Sequence, residues 1–295
     1  MDNPSNNHLD KKEARIYLKL ELEALRSAIL SNTPSEIKTH VTNALIFRKA
    51  RNQFYPQSDS TEQLLEINEG LAEYTGLMMS ERSDEQTKNY LETSLNEFLK
   101  NKTYVRSFAY QSLPMYGYLL SKVKADWNKD ISSDTNLTNY MVKTFGIELP
   151  KDANTSASNI SSLYNGEMIS AFEIERDNQN KEMLTKQMEK FVHQTHFELP
   201  LEKMNAFFNP SNLIALAEWG TVYPTIRVTD NWGILEVENG ALMAPNWNKI
   251  TITPPIETNE GIIIGDGWTL ELNTDLYTIE QEPSTGNYFL NRIEL

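Results

Sequence analysis

From about Asp10 to Asp126 the apolar residues recur at helical spacing, as in Ile16, Leu20, Leu25 and Ile29, and again in Leu91, Leu95, Phe98 and Leu99. The runs "SNTPSE" around Pro34 and "YPQSDSTE" around Pro56 interrupt this pattern with turn-forming and helix-capping residues, so the region predicts four or five helices. "IELPKDANTSASNISS", Ile147 to Ser162, is poor in large apolar side chains and predicts a loop or linker, followed by one amphipathic helix from about Tyr164 to His193. From Phe197 onward the grammar changes. "TVYPTIRVTD", "WGILEVENGALMA", "NKITITPP" and "GWTLELN" are short, β-branched or aromatic, and punctuated by Gly and Pro, which predicts a small antiparallel sheet. Asn239-Gly240 in "VENGAL" carries the two-residue hairpin signal, placing Val237 opposite Ala241, and "GDGW" at Gly265 predicts a tight turn before a strand. The expected class is α+β: an all-α amino-terminal domain over residues 1–150 and, over 151–295, a helix followed by a small antiparallel β-rich module, with no internal repeat.

Charge narrows the partners. The 41 acidic residues outnumber the 27 basic ones and give a formal charge of −14, which repels phosphate backbones and anionic lipid alike and argues against nucleic acid and membrane as partners. No apolar run approaches the ~18 residues of a spanning helix, and "MDNPSNNHLDKKEAR" has no apolar segment of a secretory signal. The absence of cysteine removes disulfides, thiolate metal sites and cysteine nucleophiles.

The stretch "LLEINEGLAEYTGLMM" holds the strongest chemical candidate. Glu62, Glu66, Glu69 and Glu73 stand at spacings of four, three and four and line one helix face, while Leu64, Ile67, Leu71 and Met78 lie largely elsewhere. Four such glutamates alone describe a solvated acidic face. Gly70 changes that picture, because a glycine inside a helix costs about 1 kcal/mol relative to alanine and is easier to explain where another backbone approaches closely.

The run Asn68-Glu69-Gly70-Leu71-Ala72-Glu73-Tyr74 resembles the third-ligand helix of gluzincin metallopeptidases. With "HLDKKEARIYLKLELEALRSAI", "ALIFRKARNQFYP", "YVRSFAYQSLPMYGYLL", "GTVYPTIRVTDNWGILEVENGALM" and "GDGWTLELN", it makes most of the chain, from Asn7 onward, similar to a bacterial family of gluzincin-like zinc metallopeptidases. That resemblance implies that Glu69 is a zinc ligand, with Glu66 and Glu73 as neighbours, and that peptide is the partner class. It also implies two histidines and a general-base glutamate from a His-Glu-x-x-His helix, where i and i+4 put both imidazoles on one face. That helix would precede Asn7, and the chain itself contains no such motif, so zinc is expected only where an upstream His-Glu-x-x-His is present.

No other residues substitute for it. His8, His40, His193 and His196 include no pair four apart, and His193 and His196 stand at the expected helix-to-strand boundary, where they read as ordinary polar residues. Arg106 and Tyr110 are four apart, with Tyr116 following Pro114, and are the candidates to face the Glu69 helix; in the resembled enzymes a tyrosine at such a place binds the tetrahedral oxyanion. Their plainer role is a half-buried phenol with a paired hydroxyl and an arginine balancing acidic neighbours. The chain lacks a Gly-x-Ser-x-Gly elbow, a Gly-x-Gly-x-x-Gly loop and a Walker pattern. Trp219, Trp232, Trp247 and Trp268 in the last third form either the core of the β-module or a stacking platform. Two functions are therefore expected as alternatives: a metallopeptidase-like protein, either the remainder of a zinc hydrolase or a relative without the motif and inactive as this chain stands, or a non-catalytic binding module whose tryptophan-rich sheet takes a peptide or sugar.

Overall fold

Leu18, Leu22, Leu25 and Ile29 make a continuous buried stripe along α1 (Lys12–Leu30), and the connection Ser31–Thr33 is short enough that α2 (Pro34–Phe54) folds back against it through Val41, Ala44, Leu45 and Phe47. The break is built as "SNTPSE" predicts. Thr33 caps α2 by accepting from the Glu36 backbone N–H, Glu36 reciprocates at Thr33, and Pro34 occupies the first turn, where its missing N–H costs nothing. These observations come from a computed structural model, which describes residues 6–293. Chain contacts divide it into Met1–Asp177 and Asn178–Leu295, a boundary inside the long helix α9 (Gly166–Met188).

In the first unit, α3 (Ser58–Leu65) and α4 (Leu71–Met79) are one helix interrupted by a π-turn at Glu66–Gly70. Next come α5 (Asp84–Phe98), entered through a capping box of Ser83 and Gln86, and α6 (Ala109–Val123), whose buried Leu113, Met115, Leu119 and Leu120 join the same core. Between Asp10 and Asp126 the helices thus number as the apolar spacing predicts. The stretch expected as a loop over 147–162 instead contains α8 (Ala153–Ile160), capped by Asp152, whose side chain accepts from the Thr155 N–H. Large apolar residues are missing there because its buried side chains are the methyl groups of Ala153 and Ala157, so the helix carries no large-residue periodicity to read. A further helix, α7 (Leu137–Phe145), has no counterpart among the expected elements, although Asn136 caps it, Leu137, Met141 and Phe145 recur every four residues, and Gly146 ends it at φ +60°.

The second unit is two sheets sharing one core. The seven-stranded sheet takes β1 (Phe197–Pro200), β3 (Ile214–Ala215), β4 (Thr221–Tyr223), β7 (Ala241–Met243), β8 (Lys249–Ile252), β12 (Tyr277–Gln281) and β13 (Tyr288–Arg292), in the order β12-β13-β1-β8-β7-β4-β3. The six-stranded sheet takes β2 (Asn205–Phe208), β5 (Ile226–Asp230), β6 (Gly233–Val237), β9 (Pro255–Asn259), β10 (Ile262–Gly265) and β11 (Trp268–Leu272), in the order β2-β5-β6-β11-β10-β9. All described pairings are antiparallel except β1 with β13. Phe197, Leu199, Ile250 and Ile252 from one sheet meet Val228, Leu235 and Leu270 from the other.

The expected Asn239-Gly240 hairpin does not form. β6 pairs with β5 and β11, whereas β7 pairs with β4 and β8, so Asn239-Gly240 carries the chain from one sheet to the other and Val237 does not oppose Ala241. Gly240 does adopt φ +89°, but Asn239 does not turn positive; the Glu238 and Asn239 N–H groups both bond to Gly267 O instead of closing a two-residue loop. The turn with both positions at positive φ is Glu260-Gly261, between β9 and β10, and "GDGW" is a true hairpin, pairing Gly265 with Trp268 across Asp266-Gly267.

Candidate functional site

The π-turn decides how the glutamates of "EQLLEINEG" are used. One extra residue in the turn lets the Leu71 N–H bond to Glu66 O, and it falls where Gly70 lies against α6. A Cβ on Gly70 would come within 2.6 Å of Ala109 O and 2.8 Å of Leu113 Cβ, so the close approach expected of this glycine is present. Gly76, six residues further along the helix, has open space around it.

On the amino-terminal side of the turn the glutamates point inward, and the solvated acidic face expected for all four does not hold there. Glu66 is fully buried and receives both Arg48 Nη atoms, at 2.8 and 2.6 Å, together with Ser112 Oγ at 2.5 Å. Arg51 donates to both oxygens of Glu62 and to Glu21, and Arg48 Nε also donates to Glu21, at 2.7 Å. His8 Nε2 lies 2.7 Å from Glu62 Oε1. Burial alone would raise the Glu62 carboxyl, but Arg51, with the hydrogen bond from His8, holds it at about 2. Burial likewise opposes the charge on Arg48, yet Glu21 and Glu66 keep its guanidinium well above its ordinary value. Tyr116, expected near Glu69, is buried and donates to Glu21 Oε1 instead, and burial followed by the Glu21 charge pushes its phenol far up.

On the carboxy-terminal side Glu69 turns toward the surface. Arg106 Nη2 donates to its Oε1 at 2.8 Å, and the Tyr110 hydroxyl donates to its Oε2. Of the residues that the sequence singles out, Glu69, Arg106 and Tyr110 therefore converge, one from the π-turn, one just before α6 and one in its first turn. Arg106 is 70% exposed and Glu69 22%, so the pair is screened and worth at most about 1 kcal/mol to the fold. Next to Tyr110 lies an open groove of about 550 Å³ lined by Glu73, Ser94, Glu97, Lys100 and Gln111 among others.

A zinc ion takes three or four N, O or S ligands. Glu69 offers one carboxylate, with both oxygens already engaged, and among the described residues no group of three or more His, Cys, Asp or Glu side chains is arranged to hold a metal ion. Glu66 cannot assist, since its oxygens belong to Arg48 and Ser112, and the described donors by themselves do not fit zinc. His193 is exposed; His196 is buried, with Nδ1 donating to Gln194 O at 2.8 Å, and the two do not form a metal pair.

Of the four carboxy-terminal tryptophans, Trp232 and Trp268 are core residues whose indole N–H groups donate to Pro200 O and to Thr253. Trp219 and Trp247 are exposed. The residues that the sequence did not single out are Glu21, Arg48 and Arg51. Their signal was available as charges set inside the apolar runs "LKLELEAL" and "ALIFRKAR", where a charge on the buried face needs a partner. No described helix is long and apolar enough to cross a membrane. The chain matches no protein-family model, no curated protein and no solved structure.

Proposed function

We propose that the helical unit is metallopeptidase-like and that, with the residues of this chain, it does not hydrolyse peptides. The observation that carries this reading is the meeting of Glu69, Arg106 and Tyr110 at the π-turn, beside an open groove. The reading rests on the resemblance of residues 68–74 to a gluzincin third-ligand helix, in which Glu69 takes the place of the metal-binding carboxylate. Two histidines and a base from an upstream His-Glu-x-x-His helix would complete the donor set that Glu69 begins, and a form of the protein carrying that helix would be a zinc-dependent hydrolase.

The test is a peptidase assay of the 295-residue chain with a mixed fluorogenic peptide library, with and without added zinc. The expected result is no cleavage above buffer in either condition. Cleavage that a chelator abolishes and that Glu69→Gln removes would overturn the proposal.

A further inference from the structure

The outer face of the seven-stranded sheet carries a polar row in which no residue of the Glu69 centre takes part. Glu198 on β1 opposes Thr251 on β8, and Thr251 opposes Leu242 on β7, so the three side chains leave the sheet on one side. Lys249, two residues before Thr251, leaves on the same side, while Phe197, Leu199, Ile250 and Ile252 fill the core on the other.

Lys249 Nζ donates to Glu198 Oε1 at 2.5 Å, and His196 Nε2 stands 3.5 Å from the same oxygen. Because His196 Nδ1 donates to Gln194 O, both ring nitrogens face acceptors, which favours the imidazolium; Glu198 raises the His196 pKa against the effect of burial. The His196 hydrogen bond outweighs burial at Glu198 and, with Lys249, keeps its carboxyl at about 2. Phe191, Ala244 and the half-exposed Trp219 close a cavity of about 100 Å³ over this row.

We propose that this cavity is a carbohydrate subsite that takes one edge of a neutral pyranose, with the rest of the sugar lying on Trp219. The charges select for neutrality. An anionic ligand would have to compete with Glu198 for Lys249 and His196, and a cationic one would have to compete with Lys249 for Glu198, whereas sugar hydroxyls both donate to a carboxylate and accept from an ammonium without breaking the pair. The backbone selects against peptide. β1, β8 and β7 each have ladder partners on both sides, so their main-chain groups are consumed and an extended peptide finds no edge to join. The cavity is also smaller than the roughly 300–1,000 Å³ of a site that swallows a whole small molecule, which suits one ring edge. Trp219 and the apolar wall of Leu242 and Phe191 supply the surface that the C–H face of a sugar covers.

This subsite lies wholly in the β-rich unit, so its test is independent of Glu69. Tryptophan fluorescence and saturation-transfer NMR on the full chain, with cellotetraose, maltotetraose, xylotetraose and chitotetraose as probes, should find at least one that binds with a Kd of about 0.1–10 mM. Trp219→Ala and Lys249→Met should each weaken it by about tenfold or more. Trp247→Ala, an exposed tryptophan outside the cavity, should leave the Kd unchanged, and circular dichroism should show all three variants folded. No saturation by any of the four sugars at about 10 mM would overturn the proposal, as would binding that survives Trp219→Ala or is lost equally in Trp247→Ala.

Discussion

Glu62 and Glu66, leading into the π-turn, and Glu69 and Glu73, leading out of it, belong to a single helix and the same residue type, yet the first pair is buried and the second reaches the surface. Spacing does not separate them; partners do. Arg48 and Arg51, i and i+3 on α2, meet the first pair with Glu21, so three carboxylates share two guanidiniums and the His8 ring in a space closed to water. Glu69 instead meets an exposed arginine and an exposed tyrosine. The first cluster is costly to break because each partner, once alone, is a buried unpaired charge. The second is cheap to break, because its partners stay solvated.

The largest expected effect comes from attacking the buried side. Arg51→Met leaves Glu62 and one oxygen of Glu21 without their cation and should cost about 3–5 kcal/mol of unfolding free energy in urea, whereas Arg106→Met should cost less than about 1 kcal/mol. Equal losses would erase the contrast between the two sides. Acid should find the same weakness. Glu62 is depressed from an ordinary 4.5 to about 2, so its contribution is fully present above pH 4.5 and lost as pH falls through 2. Urea midpoints of the wild type should therefore drop across that window, and the drop should be smaller in Glu62→Gln.

A smaller effect separates the two glycines of the helix. Gly70→Ala should destabilise by about 1–3 kcal/mol, because α6 backbone stands where the methyl would go. Gly76→Ala, with open space around it, should stabilise by up to about 1 kcal/mol. A stabilised Gly70→Ala would mean that the π-turn is not held by α6. The smallest change is Glu69→Gln, which should move the melting temperature by a few degrees at most, since it weakens only a screened pair.

Much of this was legible in the chain. The helices before Asp126 follow from leucines at helical spacing and from the break at Thr33-Pro34, and Arg106 and Tyr110, four apart, were the candidates to face the Glu69 helix. Burial of Glu62 and Glu66 was not legible, because it depends on α2 presenting two arginines across the core, a contact between separate elements. Asn239-Gly240 shows the same limit in the β-rich unit: local preference sets the φ of Gly240, but which sheet each flanking strand joins is decided by partners far along the chain. The Glu198, Thr251 and Leu242 row is likewise a product of register, and no motif spells it.

The most direct test of the account is the metal content of the purified 295-residue chain, measured by elemental analysis after incubation with zinc and desalting. With one carboxylate ligand whose oxygens are held by Arg106 and Tyr110, the protein should retain far less than one zinc per chain, and Glu69→Ala should not change the value. One zinc per chain, lost in Glu69→Ala, would contradict it.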